Sequence, residues 1–233
     1  MLDLLIQNAQ VLDGTGSPAF IADVAVQDGK IAAVGRIQAE AAEIVDASGL
    51  TLTSGFIDVH GHSDLFMALD PARSSKLLQG VTTELCGQCG LGPAPVSKQN
   101  YPLYRKYLSQ QGIPMYPDDR DFTSFSAYLD RMEKTPAGIH LAYFIPHGTV
   151  RLAVTGFSPA APDEAQLAQM TALVEEAMQA GALGLSTGLA YAPGRFAATD
   201  ELAALTAPVG KYGGVYTSHL RDQGDALEQS VQE

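Results

Sequence analysis

The chain is poor in basic charge. Its 14 lysines and arginines stand against 26 aspartates and glutamates, a net charge of −12 over 233 residues. Such a surface has nothing with which to neutralise phosphates, and nucleic acid is excluded as a partner. Long apolar runs are missing as well. None approaches the roughly 20 residues that a membrane-spanning helix requires, which excludes insertion. The opening Met1-Leu2-Asp3-Leu4 lacks the basic residues of a secretory leader. Cysteine is scarce: Cys86 and Cys89 do not make the disulfide framework of a small secreted protein. A cytoplasmic location is expected. Only 17% of residues are charged, but 46% are hydrophobic, a globular composition long enough to bury a sizeable core.

What is present falls into two patterns. Residues 1–53 read as a small all-β segment. Leu2–Leu12 is an apolar strand, and Asp23–Gln27 and Lys30–Val34 flank Asp28-Gly29, a strong two-residue hairpin signal. Short strands follow at Ile44–Asp46 and Leu50–Leu52. From residue 54 to 233 the pattern is strand-then-helix. Strand-like runs occur at Phe56–His60, Val81–Cys86, Ile139–Ile145, Ala182–Thr187 and Val215–His219. Helices are expected at Tyr101–Gln111, Thr123–Lys134 and Asp163–Ala180, the last with Leu167, Met170, Leu173, Val174, Ala177 and Met178 on one face. Thr199-Asp200-Glu201 opens a further helix with a cap and an acidic first turn. This alternation predicts an α/β fold with a parallel sheet, either a barrel or doubly wound.

The stretch around which the chain is organised is Thr53-Ser54-Gly55-Phe56-Ile57-Asp58-Val59-His60-Gly61-His62-Ser63-Asp64. It reads as a short buried strand running into two histidines two residues apart, so that both imidazoles project to one side. Two neutral imidazoles at a strand end form half of a divalent-metal site. A bare His-x-His is more often a pair of ordinary loop residues. Here other ligand-type residues lie at later strand ends: Cys89 and His147 follow theirs, and His219 ends its own. The C-terminal ends of the strands build the active site in both parallel architectures.

Cys86-Gly87-Gln88-Cys89 has the spacing of a redox pair, but glycine and proline follow it where a redox motif would open a helix. The other reading is one strand-end cysteine, Cys86, and one loop thiolate, Cys89, open to a metal. His147 is a structural residue or a ligand. Tyr191 either packs beneath its Gly/Pro-framed loop or donates a hydrogen bond to a bound molecule.

Several segments resemble one family. They are the stretch from Gly55 to Asp64, Gly80-Val81-Thr82-Thr83, Gly87-Gln88-Cys89-Gly90, His147-Gly148-Thr149-Val150-Arg151, Leu185–Tyr191 and Ser218–Asp222. The chain is similar to the amidohydrolase superfamily and, within it, to the D-aminoacylases, the N-acyl-D-amino-acid deacylases. The resemblance implies a (β/α)₈ barrel preceded by a small β segment, of which about five barrel strands are present. It implies one or two zinc ions, held by His60, His62, Cys89 and His219, and a substrate-contacting role for Tyr191. The reaction implied is hydrolysis of an N-acyl-D-amino acid, with a general-base aspartate expected beyond Glu233. Two positions depart from the family, Gln88 where asparagine is usual and Gln223 where glutamate is. A fragment of this kind is expected to be inactive alone, and to self-associate or pair with a complementary C-terminal fragment. The dihydroorotase and hydantoinase branch is the nearest enzyme alternative, but Ala182–Thr187 lacks the metal-bridging lysine that branch would place there. A metal-free binding module is the non-enzyme alternative.

Overall fold

The computed structural model describes residues 1–66, 74–110, 112–114 and 121–233. They form two compact units, Met1–Gly55 and Phe56–Glu233. In the first, β1 (Leu2–Leu12) is central. It pairs antiparallel with β2 (Phe20–Gln27) and parallel with β4 (Ala41–Asp46) and β5 (Thr51–Thr53), while β3 (Lys30–Gly35) adds outside β2. The β2–β3 hairpin turns where the sequence signals it. Asp28 and Gly29 both take left-handed backbone, φ 51° and 69°, which a two-residue turn matching the strand twist requires. Ala9, Val11, Ala22, Val24 and Ala47 make the small core.

The second unit is α/β with parallel strands in chain order. β6 (Phe56–Asp58), β7 (Val81–Cys86) and β8 (His140–Tyr143) form one sheet, and β9 (Ile145–Pro146), β10 (Gly184–Gly188) and β11 (Val215–His219) form the other. The single run expected at Ile139–Ile145 is therefore divided at Phe144, which changes partners. Tyr143 sits opposite Cys86 in one sheet, and Ile145 sits opposite Leu185 in the other. Phe56 and Ile57, expected to be buried, are 58% and 62% exposed, because β6 pairs on one side alone among the described residues.

The described helices are α1 (Ser74–Leu77), α2 (Tyr101–Gln110), α3 (Phe125–Glu133), α4 (His147–Thr155), α5 (Glu164–Gln179), α6 (Thr199–Lys211) and α7 (Leu227–Gln232). Position 111, the expected end of α2, lies outside the described residues. Asp163 caps α5 in a reciprocal box with Gln166, satisfying two backbone N–H groups at once. The apolar face of α5 buries Met170, Val174, Ala177 and Met178 in the main core, beside Cys86, Ile145, Leu152, Leu185 and Leu205. Each of the valine, leucine, isoleucine and methionine side chains contributes about 1.5–3 kcal/mol on full burial. Among the described residues, no helix is long and apolar enough to cross a membrane.

Candidate metal centre

β6 stops at Asp58, so His60 and His62 converge through a bend and not through strand alternation. The backbone N–H of His60 donates to Asp58 Oδ1 at 3.1 Å, a local turn that an aspartate side chain favours. The two rings stand edge to face with centroids 5.5 Å apart. Gly61 follows the floor of the site: its N–H donates to the Leu85 carbonyl at 3.0 Å, and the buried Glu84 carboxylate lies where a side chain would project. Glu84 Oε1 accepts from Ser63 Oγ at 2.8 Å, and Lys76 lies 3.6 Å from it while also pairing with Asp58.

The third donor comes from the loop after β7. Gly87 (φ 72°), Cys89 (φ 58°) and Gly90 (φ 66°) are all left-handed, a costly conformation for the cysteine, which the surroundings must hold. They do so from three directions. Gly90 N–H donates to Ser186 Oγ at 3.0 Å, the Tyr191 hydroxyl donates to the Cys89 carbonyl at 2.6 Å, and the Gln88 amide bonds to Val59 just after β6 and to Thr217 in β11. Cys89 Sγ comes to 3.2 Å from His60 Nε2. One donor atom each from His60, His62 and Cys89 lie within 4.8 Å of one another, a spacing that would admit one cation between them. Cys86 packs in the main core instead.

The donor set suits a borderline-soft divalent ion such as zinc. His62 Nδ1 is buried with no hydrogen-bond partner among the described residues, an atom that a cation would satisfy. Burial and then the neighbouring His60 push the His62 imidazole below its ordinary pKa, favouring the neutral ligand form. Burial pushes the Cys89 thiol up, so that a bound cation would be needed to stabilise the thiolate. Asp64 is fully buried and pushed up to about 7, by burial first and then by Glu84, against the pull of the Gly87 N–H.

His219 ends β11 and is not part of the 4.8 Å set. Its ring meets Tyr191 edge to face at 5.4 Å, and it borders an open cleft of about 460 Å³ with Ala190, Arg221 and Asp222. His147 is not in the set either. It opens α4, fully buried, with Nε2 2.9 Å from Glu201 Oε1, and Arg151 Nε donates to the same oxygen at 3.1 Å. Glu201 lies in the acidic first turn of α6 as expected and is buried by this network, whereas Thr199, expected to cap, is the first residue of α6 and Ala198 stands at the cap with no side-chain bond. Burial pulls the Glu201 carboxyl up, but the hydrogen bond from His147 and the charge of Arg151 outweigh it and hold it below the usual range. A depressed native pKa adds stability above the unfolded value, which is lost as pH falls through the native one. Glu201→Gln is accordingly expected to lower stability near neutrality by about 1.5–3 kcal/mol, the range for a hydrogen bond to a charged group. It should also flatten the decline in denaturation midpoint below about pH 4.5, near the unfolded carboxyl value. Denaturant titrations at several pH values check both.

The model of the amidohydrolase family matches residues 43–215. The chain belongs to this family. An N-acyl-D-aspartate deacylase of Alcaligenes xylosoxydans xylosoxydans is 37% identical across 99% of the chain and 46% of its own length. A crystal structure of D-aminoacylase superposes with a TM-score of 0.87 at 32% identity, covering all of this chain and 48% of that one. An N-acyl-D-glutamate deacylase from Bordetella bronchiseptica, solved with zinc and a phosphonate mimic of the tetrahedral intermediate, gives 0.86 at 36%, covering 99% and 48%. The α/β fold of the second unit is thus an amidohydrolase fold, and the chain spans about half the length of these relatives. Glu84 is the residue of the site that sequence reasoning passed over, while Gln88 stood out only as a departure from the family and Glu201 only as part of a helix start. The one signal for Glu84 was a lone carboxylate inside the strand run Val81–Cys86.

Proposed function

We propose that the whole protein containing this chain hydrolyses the amide bond of N-acyl-D-amino acids with the help of one or two zinc ions. The observation that carries this reading is the convergence of His60, His62 and Cys89 donor atoms within 4.8 Å. The deacylase names of the relatives support the substrate class. His60, His62 and Cys89 would hold zinc, with His219 contributing from the end of β11. Bound zinc would supply Lewis-acid activation of water and of the scissile carbonyl. The protein's own groups prepare the place: Glu84 and Asp64 line the buried side of the histidine bend, and Tyr191 stands over the Cys89 loop.

Residues 1–53 are read as a β-domain segment and residues 54–233 as the first five strands of a (β/α)₈ barrel. The exposed apolar residues of β6, Phe56 and Ile57, and of β11, Val215 and Tyr216, support that reading, since each edge offers a surface for a further strand. A complementary segment or self-association would cover them. The proton-shuttling aspartate that such a reaction uses is assigned to that further segment.

Tyr191 is proposed to contact the substrate carboxylate. Its single hydroxyl proton goes to the Cys89 carbonyl in this structure. A carboxylate is the stronger acceptor by about twofold and would compete for that proton. Tyr191→Phe is expected to lower kcat/KM by about ten- to a hundredfold, from a charged hydrogen bond of roughly 1.5–3 kcal/mol, with zinc content unchanged. Loss of zinc in this variant would assign the tyrosine to the Cys89 loop alone. The reading as a whole is tested with N-acetyl forms of D- and L-amino acids. Hydrolysis of the D series that a chelator abolishes is the expected result. A purified whole protein that is free of metal and silent on the D series contradicts it.

A further inference from the structure

We infer that Gln88 is a positioning residue, which sets the spacing between the His60–His62 bend and the strand that ends in His219. The inference rests on the metal-centre reading above. Gln88 is 1% exposed. Its Nε2–H donates to the Val59 carbonyl at 3.0 Å, one residue before His60. Its Oε1 accepts from Thr217 Oγ1 at 3.0 Å, two residues before His219. Thr217 and His219 lie on the same face of β11, because strand residues two apart share a face. The ends of the amide are fixed by these partners: a carbonyl only accepts, so the nitrogen must face Val59.

No backbone ladder joins β6 to β11 among the described residues. They are outer strands of the two different sheets. One neutral amide therefore links the backbone that leads into one histidine pair to the side chain that precedes the other histidine. Cys89 follows directly in the chain, at φ 58°, so the same amide also helps hold the thiol between the two sides. The bridge needs both polar ends of the amide, one to donate and one to accept. A methionine has the length and packs, but neither donates nor bridges.

Groups that orient metal ligands from outside typically change metal affinity by about ten- to a hundredfold when removed. In the whole protein, Gln88→Met and Gln88→Leu are expected to weaken Co²⁺ binding by that factor. They should also displace or weaken the thiolate-to-cobalt charge-transfer band relative to the wild type. Thr217→Val removes the bridge from the β11 side without touching the Cys89 loop. It should reproduce the effect at about tenfold, and it decides the matter should the Gln88 variants fail to fold. If folded variants melt earlier but bind Co²⁺ with wild-type affinity and spectrum, Gln88 only supports the fold and the inference is overturned. Cys89→Ala separates this outcome from failure of the metal-centre reading. A wild-type band that survives Cys89→Ala, or no band at all, overturns both.

Discussion

Cys89→Ala is expected to empty the protein of zinc, and Cys86→Ala to leave zinc in place. The two thiols are three residues apart but sit in different environments. Cys86 is fully buried in the main core with Ile145 and Leu185, whereas Cys89 lies in the loop beyond β7 with Sγ 3.2 Å from His60 Nε2. Removing Cys89 takes one of three clustered donors and the one that brings negative charge to the ion. Outer groups alone are worth about ten- to a hundredfold in affinity, so loss of the ligand itself should exceed about a hundredfold. Cys86→Ala removes one buried sulfur and should lower stability by roughly 1–2 kcal/mol through lost packing. Zinc per chain after exhaustive dialysis, with a denaturant midpoint for each variant, distinguishes the two. Equal zinc in both variants would remove Cys89 from the site.

Gly61→Ala is expected to be nearly as damaging, although it adds a single methyl. The new carbon would overlap Glu84 Oε1 and lie 2.5 Å from Cδ and 2.6 Å from Cγ. Glu84 cannot swing aside freely, because it is fully buried and Ser63 donates to its Oε1 from both hydroxyl and backbone. Overpacking costs about 1–3 kcal/mol, and breaking hydrogen bonds to a buried carboxylate adds about 1.5–3, giving roughly 2.5–6 kcal/mol together. The alternative to moving Glu84 is opening the histidine bend, which would lower zinc affinity. Glu84→Ala in the same chain vacates the space, so the double variant should be more stable than the two single effects added. Strict additivity in that cycle would show that Gly61 and Glu84 do not meet.

Local chemistry made much of this legible from the sequence. The hairpin at Asp28-Gly29, the ends of α5 and the alternation of strand and helix each depend on residues within a few positions of one another. The positions of His60, His62 and Cys89 after successive strands also follow from the pattern, since parallel strands collect such residues at one end. Features that join distant residues were not legible. Glu201 looks like an ordinary acidic helix start until His147, 54 residues earlier, is seen against it. Glu84 looks like a stray charge in a strand until Gly61 is seen to leave room for it. The exposure of Phe56 and Ile57 likewise depends on which strands lie alongside, and no pattern within β6 reports that. The Tyr191 hydroxyl posed a choice between packing and ligand contact, and its bond to the Cys89 carbonyl supplies a partner that the sequence does not display.

A thiolate and imidazoles of this chain are expected to hold zinc together. X-ray absorption at the zinc edge on the purified whole protein tests it most directly. One sulfur scatterer at about 2.3 Å, with nitrogen or oxygen neighbours at about 2.0–2.1 Å, is the predicted first shell. A shell of nitrogen and oxygen alone would place the metal away from Cys89 and contradict the account.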